Sequence, residues 1–161
     1  MKRTVLPLYY GGHMMRWAKT TLLENPKGLV FLPTIDGTDP DTGKMVPGME
    51  AQQKMLLQKM KEYLDEAGSG LEYICDMTWY IVGKFPNGIE QYPPFMIAES
   101  VFNDFFEREC GAAPIPVAAM PEYKTFVATG KEMPLVIGLI GTPGLGSKDA
   151  LVAMTCTAVI P

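Results

Sequence analysis

The sequence holds one histidine, His13, and three cysteines, Cys75, Cys110 and Cys156, with no C-x-x-C spacing. Such scarcity argues against the clustered His, Cys and carboxylate ligands of a metal site, and no metal or other cofactor is expected. Three cysteines cannot all pair, so they read as reduced packing residues in a cytoplasmic protein. Basic residues are also thin: 14 Lys and Arg stand against 18 Asp and Glu, without a basic run, for a net charge of −4. A nucleic-acid partner needs a concentrated basic surface, so none is expected. No stretch approaches the roughly 20 apolar residues of a membrane helix, and Met1-Lys2-Arg3 leads into Pro7, Tyr9 and Tyr10 rather than an apolar signal core. There is no internal repeat.

What is present fits one domain. The 161 residues are 47% hydrophobic and 20% charged, enough for a real core. The segment Gly48–Cys110 organises the chain as helix, strand, helix. Met49, Leu56, Met60, Tyr63, Leu64 and Ala67 recur at helical spacing. Gly68-Ser69-Gly70 supplies a glycine stop. Tyr73–Val82, rich in aromatic and branched residues, reads as a buried strand. Ile97, Ala98, Val101, Phe102, Phe105 and Phe106 form a second helical stripe.

Flanking elements are shorter. Thr4–Tyr10 is a strand candidate broken by Gly11-Gly12. Thr20–Glu24 and Leu29–Ile35 read as strands of a hairpin around Asn25-Pro26-Lys27-Gly28. Asp39–Gly43 is a tight turn. Val117–Met120 and Leu151–Ile160 read as strands, the second alternating Val152, Met154, Cys156 and Ala158 against Ala153, Thr155 and Thr157. Gly141–Lys148 has glycines that invite a phosphate loop, but its order is Gly146-Ser147-Lys148 and a strand follows, so a hairpin loop is the better reading. The 12 methionines are read as gap-filling core residues.

Order and spacing of several strings resemble the reactive intermediate deaminase family (RidA, also called YjgF). The strings are Leu29–Pro33, the turn Asp39–Gly43, Glu50-Ala51-Gln52-Gln53 opening a helix, Glu66-Ala67-Gly68 closing it, Asp76–Val82, Val101–Phe106 and Val117–Pro121. The resemblance covers about Leu22–Pro121 and Ala150–Ile160. It implies an α+β, chorismate-mutase-like mixed sheet with two helices packed on one face. It further implies a homotrimer with ligand clefts between subunits, and hydrolysis of reactive enamines and imines to a ketone and ammonia.

The chain departs from the family pattern at its polar positions. The family Arg that pairs with a substrate carboxylate falls at Ala112, the Glu-x-Glu of the last strand at Ala153 and Thr155, and the Ser-Gly-Gln of the hairpin strand at Leu32-Pro33-Thr34. An insertion is expected at about 122–149. Replacement groups are therefore sought elsewhere. His13 is the candidate base, its ordinary pKa being about 6.5; its bland reading is a solvated or capping side chain. Arg16 and Trp17, with Lys19, suit an acidic or aromatic ligand through charge pairing and stacking; otherwise they form a basic strand edge and a core or interface tryptophan. Arg108 is the second choice for a carboxylate clamp, because Glu107-Arg108-Glu109 also reads as a solvated helix-end salt bridge. Cys110 lacks an evident activating base.

Two functions follow. One is a divergent hydrolytic deaminase acting on a small enamine, imine or amino-substituted acid. The other is a non-catalytic trimer that binds a small, acidic ligand. The missing Arg and Glu favour the second; the His13–Lys19 segment and the insertion favour the first.

Overall fold

The structure, a computed structural model, describes residues 2–10, 13–111, 126–128 and 136–161; for 2–3, 5, 7–10, 13–21, 126–128 and 136–137 it describes the backbone alone. The elements run β1 (Lys2–Tyr10), β2 (His13–Glu24), β3 (Gly28–Asp36), α1 (Met49–Glu66), β4 (Ile74–Val82), α2 (Pro93–Cys110), β5 (Phe126–Ala128), β6 (Val136–Thr142) and β7 (Val152–Ile160).

Helix α1 follows its apolar period. Met49, Leu56, Met60 and Leu64 are buried as expected, joined by Leu57, Gln52, Gln53 and Lys59. Tyr63 and Ala67, expected in the stripe, are exposed. Tyr63 lies a turn from Met60 on the flank of the face, and Ala67 is already the C-cap. The stop is a Schellman motif: Gly68 has φ of 72°, its N–H donates to the Asp65 carbonyl at 3.1 Å, and the Ser69 N–H to that of Leu64 at 2.9 Å. Helix α2 opens on Pro93, whose missing N–H costs nothing in a first turn. It buries Phe95, Ala98, Phe102, Phe105 and Phe106, while Ile97 is 46% exposed.

Both helices cover one face of a four-stranded mixed sheet of order β3-β7-β4-β6. Strand β7 is antiparallel to β3 and β4, and β6 is parallel to β4 with Trp79 opposite Leu139. The core lies between: Met77, Trp79 and Ile81 of β4 and Val152, Met154, Cys156 and Ala158 of β7 meet the helices. Trp79 packs edge-on to Phe95 with ring centres 5.2 Å apart, and against Phe102 at 4.9 Å, contacts that add to the burial itself. The α+β architecture is the expected one.

The expected hairpin is not formed. Strand β2 pairs with β1 in a second sheet of order β2-β1-β5, and β3 pairs with β7. The β1–β2 register runs from Lys2 opposite Glu24 to Tyr10 opposite His13, leaving only Gly11 and Gly12 between partners. Asn25, at φ of 56°, turns the chain toward the other sheet. Likewise Gly141–Lys148 is no hairpin loop, because β6 and β7 flank β4 on opposite sides. The end of β4 holds both: the Val82 N–H donates to the Leu151 carbonyl at 2.9 Å and the Gly83 N–H to that of Thr142 at 3.0 Å. Val136–Thr142, within the stretch expected as inserted, thus extends the sheet. Val117–Met120 and Ala112 lie outside the described residues. Among the described residues no helix is long and apolar enough to cross a membrane.

Candidate functional site

The alternation that sends Met77, Trp79 and Ile81 into the core sends Asp76, Thr78 and Tyr80 to the opposite sheet face. On β7 the same rule places Thr155 and Thr157 there. Asp76 pairs with Thr157, Thr78 with Thr155, and Phe31 of β3 flanks Thr157 on its other side. A register shift between Ile74 and Asp76 puts Cys75 at a bulge beside them. This face has no helix over it. Phe31 is 71% exposed, Leu29 51% and Ile140 45%. It combines uncovered apolar side chains, a row of hydroxyls and the carboxylate of Asp76, with Asp36 opposite Ala153 at its loop end. Sequence reasoning passed over Asp76, although an acid inside a strand of branched and aromatic residues was a signal.

A second polar group sits at the loop end of the sheet. Gln52 Nε2 donates to the Val46 carbonyl at 3.0 Å and to that of Asp149 at 2.9 Å, while its Oε1 accepts the Leu151 N–H at 2.7 Å. All its bonds go to backbone, so it ties loops together. Gly37 is required beside it: a Cβ there would lie 2.6 Å from the Cβ of Gln52. Lys59 Nζ donates to the Thr38 carbonyl at 2.8 Å and lies 3.8 Å from Asp36 Oδ1. Asp36 also accepts from the Ser147 hydroxyl and the Thr38 N–H. Burial pushes the Asp36 carboxyl up, but these hydrogen bonds and the Lys59 charge outweigh it and hold the pKa below the ordinary value. Gln53 Oε1 accepts from the indole of Trp79 at 3.2 Å, and its Nε2 reaches Met154 Sδ at 3.6 Å. These groups are internally satisfied, as a structural network must be.

Arg108 lies elsewhere, on the outer side of the helix layer. There it edges a groove of about 890 Å³ floored by Ala51, Met55, Ile97, Val101 and Phe105. Its Nε bonds Glu109 Oε1 at 2.9 Å, and its guanidinium stacks 5.2 Å over Phe105. It is a helix-end pair, separated from Asp76 by the sheet and the core. His13, Arg16 and Trp17 belong to the first half of β2; their side chains are outside the described set. Burial, with Glu72 and Glu109 nearby, pushes the Cys110 thiol up to about 11. Cys156 rises to about 12 through burial, with Asp76 and Cys75 adding to it. Neither is a ready thiolate at neutral pH. Among the described residues no three His, Cys, Asp or Glu side chains converge as a metal site.

No protein-family model and no curated protein matches the sequence. Solved structures do match. TdcF from E. coli, solved with serine bound, superposes with a TM-score of 0.60 at 16% identity, covering 96% of this chain and 92% of that one. The YjgF gene product of E. coli gives 0.60 at 13% identity, over 97% and 94%. The Rid-family protein YyfB of Yersinia pestis gives 0.58 at 16% identity, over 89% and 86%. With two helices on one face of a mixed sheet and these three neighbours, the chain resembles the Rid/YjgF proteins and shares their fold.

Proposed function

We propose that three copies assemble through the open sheet faces, and that the clefts between them bind a small acidic molecule. The observation that carries this reading is the inequality of the two faces. Leu29, Phe31 and Ile140 stay exposed on a sheet whose other side is sealed, and uncovered apolar area of this kind marks an interaction surface. TdcF, of the same fold, holds serine, which supports a ligand of amino-acid size. In this reading the insertion at about 122–149 belongs to the same single domain, and the free cysteines suit a reducing cytoplasm.

Within the cleft the chain acts as a hydrolytic deaminase on an enamine, imine or amino-substituted acid. Arg16 holds the ligand carboxylate in a bidentate pair, Trp17 stacks on it, and His13 takes a proton from water. Water oxygen adds to the imine carbon, the C–N bond breaks, and nitrogen leaves as ammonia while the carbonyl forms. The non-catalytic alternative is favoured by one observation. The last strand offers Ala153 and Thr155 where the family resemblance calls for glutamates.

Ammonia release from freshly generated 2-aminoacrylate, with wild type and Arg16→Ala side by side, tests the choice. Release well above the spontaneous rate in wild type alone is expected. Release in both discards Arg16 as the clamp. Release in neither, with the assembly intact, selects the non-catalytic alternative.

A further inference from the structure

Asp76 is the carboxylate within the described open face that lacks a partner there; Asp36, opposite Ala153 at the end of β3, is already held by Lys59 and Ser147. The neighbours of Asp76 are uncharged: Thr157 directly across, Thr78 and Thr155 one pleat on, Tyr80 beyond, Cys75 at the bulge and Phe31 two strands away. Asp76 is exposed and sits in β4, an interior strand, where aspartate is among the least favoured residues. Among the described residues no cation pairs with it. Fold stability does not explain its presence. Once the face is covered, a lone carboxylate becomes costly unless a cation meets it.

We propose that Asp76 is the anchor for a cationic nitrogen of the ligand, a primary ammonium or protonated imine, with the Thr155 and Thr157 hydroxyls accepting its remaining N–H groups. The proposal rests on the reading that this face lines a ligand cleft. It adds a second pole: a cleft with a cation for the acid end and Asp76 for the nitrogen selects small zwitterions over plain acids. The side-chain chemistry fits, because a carboxylate only accepts and an ammonium only donates, and a charge-assisted bond between them is stronger than a neutral one.

Calorimetric titration of the full-length protein with L-serine, ethanolamine and glycerate separates the poles. These probes carry both groups, the amine alone and the acid alone. Wild type is expected to bind serine and ethanolamine. The near-isosteric Asp76→Asn should weaken both at least tenfold and leave glycerate unchanged, while Asp76→Glu recovers part of the loss. Circular dichroism and light scattering establish that each variant is folded and assembled. Unchanged amine affinity in Asp76→Asn overturns the proposal. So does an equal loss for all three probes. Dissociation of the assembly by Asp76→Asn also overturns it, because the carboxylate then pairs with a partner subunit. A wild type that binds glycerate but neither amine removes the Asp76 anchor and leaves the cleft standing. A monomeric wild type that binds none of the probes removes both.

Discussion

The two faces of the four-stranded sheet obey different rules. Toward the helices, Ile81, Val152, Met154 and Ala158 have no exposure, and Trp79 is wedged between aromatic rings. Away from them, the same strands carry Asp76, Thr78, Tyr80, Thr155 and Thr157, with Phe31 standing in solvent. One face answers to packing alone. The other retains polar and apolar groups that the isolated fold does not use. Chemistry is therefore expected on the second, and substitutions should sort accordingly.

The largest effect belongs to the sealed face. Phe106 is fully buried among Phe102 and Phe105, so Phe106→Ala should cost about 3–5 kcal/mol in urea unfolding. The matched change Phe31→Ala on the open face should weaken assembly while shifting the stability of a single chain by about 0.5 kcal/mol or less. Equal destabilisation by both would erase the distinction between faces.

Next comes the buried amide. Gln53→Leu removes the acceptor of the Trp79 indole and should cost about 1–3 kcal/mol, since a buried donor is left unsatisfied. Trp79 fluorescence during thermal melting reports it.

Smaller still is the acid response of the loop network. The folded state holds the Asp36 pKa below its ordinary value of 3.8. Its contribution is therefore present above that value and is lost as pH falls through the lowered folded value. Asp36→Asn should remove this part of the acid destabilisation, on the order of 1 kcal/mol for a partly buried carboxylate. Melting temperatures between pH 6 and pH 2 check it; identical slopes in both proteins would show that Ser147 and Lys59 do not hold the carboxylate.

Smallest is Arg108→Ala. Its pair with Glu109 is largely solvated, with the arginine side chain 64% exposed. The change should stay within about 0.5 kcal/mol and leave ligand titrations untouched. A tenfold loss of ligand affinity would move the site to the helix groove.

The unequal faces also explain what the sequence disclosed. Helical spacing identifies Leu56, Met60 and Leu64, or Phe102 and Phe106, because burial on a helix is written locally. Strand pairing is not local. Asn25-Pro26-Lys27-Gly28 announces a turn but does not name the partner of either flank, and the two-residue Gly11-Gly12 spacing was the stronger hairpin signal. Gln52 and Gln53 looked like an ordinary polar helix start. Their burial depends on partners such as Asp149, 97 residues away in sequence. Asp76 is visible in the sequence as an acid inside a strand, but only the register shows which face it occupies and that no helix covers it.

The central claim is that the open face is an assembly surface, and light scattering on wild type and Phe31→Asp tests it most directly. Wild type is expected at a mass three times the 17.7 kDa of one chain, and the variant as a folded monomer, because a carboxylate in place of Phe31 charges the contact. A wild type at 17.7 kDa, or a Phe31→Asp protein of undiminished mass, would contradict it.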